Sequence, residues 1–211
     1  AQSALLDART LIIAVSQSGR SAETVELLDM VGRSASRPFV IGVTNGADSP
    51  LALRADAKLV LRAGPEHSVS CKTYLSTLPA LEWLGGALCG APTGPIIAEL
   101  EQAAPAVQAY YANWQEKVTH LAGEFTHLRH LFLTGRGVSL AAVATGAIIL
   151  KESTRFQAEG MSTPEFRHGL FELINPGLYA LVFAGDPATA HLNESLVRDV
   201  QRMGGRAVLI G

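Results

Sequence analysis

Ser16-Gln17-Ser18-Gly19-Arg20-Ser21-Ala22-Glu23-Thr24 follows directly on the apolar run Leu11-Ile12-Ile13-Ala14-Val15. A strand that ends in alternating hydroxyls and a glycine and then opens a helix collects O–H donors and unpaired backbone N–H groups at the positive end of a helix dipole. Such an end suits a phosphate. Gly19, with no Cβ, permits a sharp turn and lets a ligand's oxygens come close to the amides. Serines also cap helices where no ligand binds. One serine suffices for a cap, however, and Ser16, Ser18, Ser21 and Thr24 bring four hydroxyls. No Gly-Lys-Ser/Thr follows the loop, so the spacing that cradles a nucleoside triphosphate is absent.

The second half carries groups suited to moving protons. Glu152 ends an otherwise apolar helical stretch, Ala141 to Leu150, beside Lys151. A carboxylate partly desolvated there would have a raised pKa and could move a proton near neutral pH. A solvated charge at a helix end is the simpler reading of the same residue, and Glu159 and Glu165 compete for the role. Ser162-Thr163-Pro164-Glu165 reads as a helix start, a hydroxyl cap followed by proline, and it leads into Phe166, Arg167 and His168 before Gly169. An imidazole that is neutral at pH 7 both gives and takes protons. His168 stands in the most polar, turn-rich setting of the six histidines, although a lone histidine is more often structural, and His120, His127 and His130 read as surface residues. No HExxH, Cys/His set or carboxylate pair at ligand spacing occurs, so no metal is expected.

Short apolar runs alternate with helical patterns, which is the grammar of a parallel α/β fold. Strands are expected at Thr10 to Val15, Phe39 to Val43 and Ala57 to Leu61. The first two flank a helix whose inner face is Val25, Leu28 and Val31, and Ser49-Pro50 caps a second helix. A helix from Cys71 to Leu88 follows, Gly90 to Pro95 breaks the pattern, and Ile96 to Glu124 reads as one or two connecting helices. The second half restarts with strand Leu131 to Thr134, the turn Gly135-Arg136-Gly137-Val138-Ser139 and a helix to Ser153. Thr154 to His168 is interposed before strand Leu178 to Phe183, helix Thr189 to Met203 and strand Ala207 to Ile210. The halves look related but offset: the first begins at the counterpart of a second strand and the second stops at a strand, as though one lacked its start and the other its end. The expected division is 1–90, a helical linker 91–124, and 125–211.

Composition narrows the partners. The 211 residues are 48% hydrophobic with 17 basic and 19 acidic side chains, a globular profile with a formal charge of −2. No basic run interleaved with aromatics is present, so nucleic-acid binding has no electrostatic footprint and any anion must be held locally. Cys71 and Cys89 fall in no ligand spacing and are expected to be free thiols. The most apolar stretch, Leu140 to Leu150, is short of the roughly 20 residues that cross a bilayer, and Ala1 to Thr10 lacks the form of a signal peptide, so a cytoplasmic location is expected.

Taken together, Ser16-Gln17-Ser18-Gly19 with Ser21, Ser70-Cys71-Lys72, Gly135-Arg136-Gly137, Leu150-Lys151-Glu152 and Glu165-Phe166-Arg167-His168-Gly169 resemble, in order and spacing, the sugar isomerase (SIS) family. The likeness spans almost the whole chain and is strongest to the isomerase portion of the glutamine–fructose-6-phosphate aminotransferases. It implies two doubly wound α/β subdomains of flavodoxin-like topology that bind a phosphosugar at the carboxyl ends of their strands. By the same resemblance Ser16, Gln17, Ser18 and Ser21 match phosphate ligands and Ser70 a further sugar-site serine. Glu152 matches the base that shuttles a proton between C1 and C2, and His168 the residue that opens the sugar ring from across a homodimer interface. No cofactor is implied. Ile149 stands where these relatives carry a lysine and Leu170 where they usually carry proline, and these 211 residues include neither the counterpart of the family's C-terminal lysine nor a glutaminase domain, so they do not themselves support amide-nitrogen transfer. The residues therefore support aldose–ketose isomerisation, with amine removal from a sugar-amine 6-phosphate or simple sugar-phosphate sensing as alternatives. A sensor would need the serine loop but neither proton carrier.

Overall fold

The computed structural model describes residues 6–211, which form two compact units divided between Ala109 and Tyr110. The first unit runs β1 (Leu11–Val15), α1 (Ala22–Arg33), β2 (Phe39–Thr44), α2 (Pro50–Arg54), β3 (Ala57–Val60), α3 (Cys71–Leu88) and then α4 (Thr93–Tyr111), whose last two residues cross the boundary. Its strands are parallel in the order β1-β2-β3, with Leu11 opposite Phe39 and Ile41 opposite Ala57. Both connections step the same way across the sheet, so right-handed crossovers put α1 and α2 on one face. There Leu28 and Val31 of α1 and Leu51 of α2 bury Ala14 and Val40. Gly42 lets α2 sit close, since a Cβ there would lie 3.0 Å from the Leu51 side chain.

The expected break at Gly90 to Pro95 is shorter than the sequence suggests. α4 already starts at Thr93 and takes Gly94 and Pro95 into its first turn, where a proline forgoes only an N–H that has no intrahelical acceptor. The stretch Ile96 to Glu124 resolves into two helices, α4 and, opening the second unit, α5 (Trp114–Glu124).

After α5 come β4 (His130–Gly135), α6 (Ser139–Thr154), β5 (Ala158–Ser162) and the short helix α7 (Thr163–Glu165). The latter continues as a π turn (Phe166–Leu170) and a 3₁₀ turn (Phe171–Leu173). β6 (Leu178–Phe183), α8 (Pro187–Arg202) and β7 (Arg206–Ile210) complete the chain. The sheet is all parallel in the order β5-β4-β6-β7. Because side chains alternate along a strand, it has two cores. Phe132, Leu178, Ala180 and Val182 meet Leu196 and Val200 of α8 and Phe166 of the π turn. On the other face Leu131, Leu133 and Tyr179 meet Val143 and Ala147 of α6.

Two expectations are corrected here. The interposed segment Thr154 to His168 contains a strand, β5, that its residues Ala-Glu-Gly-Met-Ser do not announce. Gly160 explains the choice: a Cβ there would come within 2.7 Å of the Val143 carbonyl oxygen, so a bare backbone lets α6 lie directly on the strand. The second correction concerns the offset between the halves. β1 hands the chain through a helix to its neighbour and on in the same direction, as β6 does to β7, whereas β5 is an edge strand whose outgoing connection doubles back over β4. β1 is thus the counterpart of the third strand of the other unit rather than the second.

Replacing Gly160 with alanine is expected to lower the unfolding free energy by roughly 1–3 kcal/mol through overpacking against the α6 backbone. Urea unfolding that matches the parent protein would show that α6 retreats freely.

Candidate functional site

The carboxyl end of β1 delivers the serine loop, and its neighbours fix it in place. Ser16 N–H donates to the Val43 carbonyl at 3.0 Å, continuing the ladder one residue past β1. The Gln17 carbonyl then accepts from both Asn45 N–H and Thr44 Oγ1, each at 3.1 Å. Gly19 adopts φ +64°, and a Cβ there would run into Ser49 and lie 2.9 Å from Thr44 Oγ1. Gly46 in turn leaves room for the Ser18 carbonyl. The β2–α2 loop is therefore a mould for residues 16–19, and only glycine fits at the tightest point.

Within the loop, Ser16 Oγ accepts from Gly19 N–H and Ser18 Oγ from Arg20 N–H, both at 3.2 Å. Each hydroxyl keeps its proton to donate elsewhere. Ser21 occupies the N-cap position of α1 but makes no side-chain cap; its hydroxyl pairs with Thr24 Oγ1 at 2.6 Å. The first intrahelical bond of α1 is Val25 N–H to the Ser21 carbonyl, so the amides of the first turn have no acceptor from the helix and none from its cap. Three other helix starts carry a side-chain cap: Ser49 caps α2, Ser162 and Glu165 form a reciprocal capping box on α7, and Asp186 caps α8, while α5 and α6 have none. The helix after the serine loop is left open. Arg20 does not fill it, because its guanidinium pairs with Asp48 at 3.2 Å.

Ser70 is the N-cap residue of α3 and likewise makes no side-chain cap. That helix is closed instead by Glu66, whose carboxylate accepts from Thr73 N–H at 2.6 Å, with Lys72 Nζ donating to the Pro65 carbonyl. The backbone hydrogen bond from Thr73 holds the Glu66 carboxyl below the usual range. Asn45 ties this segment to the serine loop: its backbone N–H serves Gln17, its side chain donates to the Gly64 carbonyl at 2.7 Å, and its Oδ1 accepts from Ala63 N–H at 2.8 Å. Ser16, Gln17, Ser18 and Ser21 are thus gathered on one loop, with Ser70 on a segment anchored to the same asparagine. Thr44, Asn45, Ser49 and Glu66 were not singled out from sequence as organisers; Thr44-Asn45-Gly46 reads there only as a turn.

In the second unit Glu152 and His168 are not brought together. Glu152 lies in the last turn of α6, on one face of the sheet, and His168 on the π turn against the other. Of the two readings of Glu152, a partly desolvated carboxylate or a solvated charge at a helix end, the structure has the second: the last turn, Lys151 to Thr154, is exposed. Glu165 is engaged in the cap of α7. It accepts from Ser162 N–H at 2.8 Å, which keeps its carboxyl ionised below the usual range and ties it to the cap. Glu159 is half-buried in β5 opposite Phe132. His168 is exposed, as are His120, His127 and His130. Cys71 and Cys89 are free and exposed. Among the described residues, no cluster of His, Cys, Asp or Glu is arranged to hold a metal ion, and no helix is long and apolar enough to cross a membrane.

Two parallel α/β sheets, the second wound on both faces, with an uncapped serine-rich turn at a strand's carboxyl end, define a class. The sequence matches the model of the SIS domain over residues 1–85 and 124–211, and the chain belongs to that family. It is 34% identical over 217 aligned residues to the glutamine–fructose-6-phosphate aminotransferase (isomerizing) of Mycobacterium tuberculosis (strain ATCC 25618 / H37Rv). That alignment covers 98% of this chain and 34% of the relative, so the chain spans about a third of the length of the curated relatives it matches. Among solved structures, the C-terminal domain of glucosamine-fructose-6-phosphate aminotransferase from Francisella tularensis superposes with a TM-score of 0.80 at 23% identity, over 94% of this chain and 58% of that one. A glucosamine-6-phosphate deaminase from Thermotoga maritima gives 0.79 at 21% identity, over 98% and 62%. At those identities the two structures establish the fold.

The Glu66 cap is expected to be acid-sensitive. A carboxyl held lower in the folded than in the unfolded protein stabilises the fold above its unfolded value of about 4.3, and that contribution vanishes as pH falls through the folded value. Glu66→Gln should therefore flatten the decline of melting temperature between about pH 5 and pH 2. An acid limb as steep as the parent's would show that Glu66 does not hold α3.

Proposed function

We propose that the chain is the phosphosugar-binding, proton-shuttling part of an enzyme of aldose–ketose isomerase or aminotransferase type, acting on fructose 6-phosphate or glucosamine 6-phosphate-like substrates. The observation that carries this reading is the open start of α1. The loop and first turn carry four hydroxyls, and the first-turn amides have no capping side chain, on a loop moulded by its neighbours. The names of the curated relatives point to the same substrate class.

In this reading Ser16, Gln17, Ser18 and Ser21 hold the phosphate and Ser70 contacts the sugar. The ester is remote from the reacting carbons, so its binding energy serves to orient C1 and C2 rather than to stabilise a ground state there. Glu152 takes the proton from one carbon of the open-chain sugar, leaving an enediolate, and returns it to the other carbon, while the hydroxyl proton moves between O1 and O2. His168 opens the ring by passing a proton to the ring oxygen as the anomeric hydroxyl loses one. Because Glu152 and His168 lie on opposite faces of one sheet, the reading takes His168 from a second copy, which makes the working form a homodimer.

Glu152→Gln is expected to abolish interconversion of fructose 6-phosphate and glucose 6-phosphate, and amine release from glucosamine 6-phosphate, while calorimetric binding of fructose 6-phosphate is retained. Undiminished turnover of both probes would take Glu152 out of the chemistry. Ser18→Ala should weaken fructose 6-phosphate binding by roughly 1.5–3 kcal/mol, the range of a hydrogen bond to a charged group. Unaltered affinity would reduce the loop to a structural turn.

A further inference from the structure

The turn that carries His168 is laid along one side of α8. Asn193, Leu196, Asp199 and Val200 recur at helical spacing and share a face. Each meets the segment that follows β5. Asn193 Oδ1 accepts from Thr163 Oγ1 at 2.9 Å, where that segment begins. Leu196 and Val200, both fully buried, pack with Phe166. Asp199 Oδ2 accepts from Arg167 Nη2 at 2.8 Å, and the guanidinium of Arg167 also lies over the Phe171 ring, 5.6 Å from its centroid.

Neither polar anchor is a casual surface contact. Asn193 is completely buried and uses its whole side chain. Its amide donates to the Phe183 and Ala184 carbonyls at 2.8 and 3.0 Å, and its oxygen also accepts from Arg136 Nε at 3.2 Å. Asp199 is about one-quarter exposed, and its second oxygen accepts from Arg202 at 3.1 Å. What these anchors hold is an unusual backbone. Phe166–Leu170 widens into a π turn, and His168 departs from helical geometry at φ −98°, ψ 16°. π turns and this sparsely populated backbone region recur at functional sites, and such a conformation persists only where its surroundings over-determine it. His168 is exposed at the crest of a turn whose start, buried side and flank are all fastened to α8.

We propose that Asn193 and Asp199 are positioning residues for His168: Asn193 sets where the turn begins, through Thr163, and Asp199 sets its rotation, through Arg167. The effect on turnover rests on the reading of His168 as the ring-opening group, whereas the effect on the turn itself does not. Aromatic and aliphatic packing at Phe166 fixes the depth of the turn, and the two polar anchors fix its direction.

Asp199→Asn keeps the side chain's shape and removes its charge. Amide hydrogen exchange at residues 166–170 is expected to accelerate about tenfold, with β4 and β6 unchanged. In the intact protein, kcat for fructose 6-phosphate isomerisation should fall by about the same factor while KM stays within about twofold, and Asp199→Glu should restore both. A contact that merely stabilised α8 would lower the melting temperature without that split. Arg167→Gln breaks the pair from its other side and supplies the measurement should the first variant not fold. Unaltered exchange at 166–170 in the folded variants overturns the proposal. Faster exchange, rescued by Asp199→Glu, with turnover untouched both there and in His168→Ala, leaves the positioning role standing and removes His168 from the reaction.

Discussion

Parallel pairing places every strand's carboxyl end, and the amino end of the helix that follows it, along one edge of the sheet. Those helix starts are rows of N–H groups without intrahelical acceptors, which bond to side chains, to other backbone groups, to solvent or to a ligand. At α2, α7 and α8 the partner is a side chain two or three residues from the amide in sequence, and at α3 it is Glu66, seven residues from the amide it serves. At α1 the loop's hydroxyls are turned to other tasks and the amides stay open. Much of the first unit follows from keeping that loop in shape: the left-handed Gly19, the close approach of Gly46 and the three-way use of Asn45 all act on it.

Sequence was a good guide where one local force dominated. The apolar runs of β2, β4 and β6 and the amphipathic faces of α1 and α8 stand out because burial decides them. The strand, turn and helix around the serine loop were legible because an apolar run leads into a turn at Gly19 and an amphipathic pattern follows. β5 was not, because its stability comes from Ala158 and Gly160 fitting beneath α6, a contact set by a distant helix rather than by strand propensity. The Glu66 cap was hidden for a related reason, since only the folded loop brings its carboxylate back to Thr73. The π turn at Phe166–Leu170 has no local signature; it emerges from anchors on α8 that lie some thirty residues later. For Glu152 the sequence leaves burial and exposure both open, because an apolar stretch does not say where burial stops, and the last turn of α6 is exposed.

The winding of the second sheet separates its two chemical groups. α6 leaves β4 in one direction and the connection from β5 to β6 returns in the other, so right-handed crossovers carry them to opposite faces. The two groups are also held differently. His168 rides on a turn fastened by a neutral buried amide and a half-buried ion pair, while Glu152 stands at the end of a sixteen-residue helix.

For that helix the absence of a side chain at Gly160 has a wider meaning. Where side chains separate a helix from a sheet, rotamer changes let the helix slide or roll by fractions of an ångström, but here α6 meets bare main chain through Val143 and Ala147. Such a seat leaves little lateral play, so α6 behaves as a stiff lever pinned near its middle. The height of its free end above the strand is then dictated by the thickness of a peptide bond, and the helix's outward-facing residues can vary widely without shifting the carboxylate it carries.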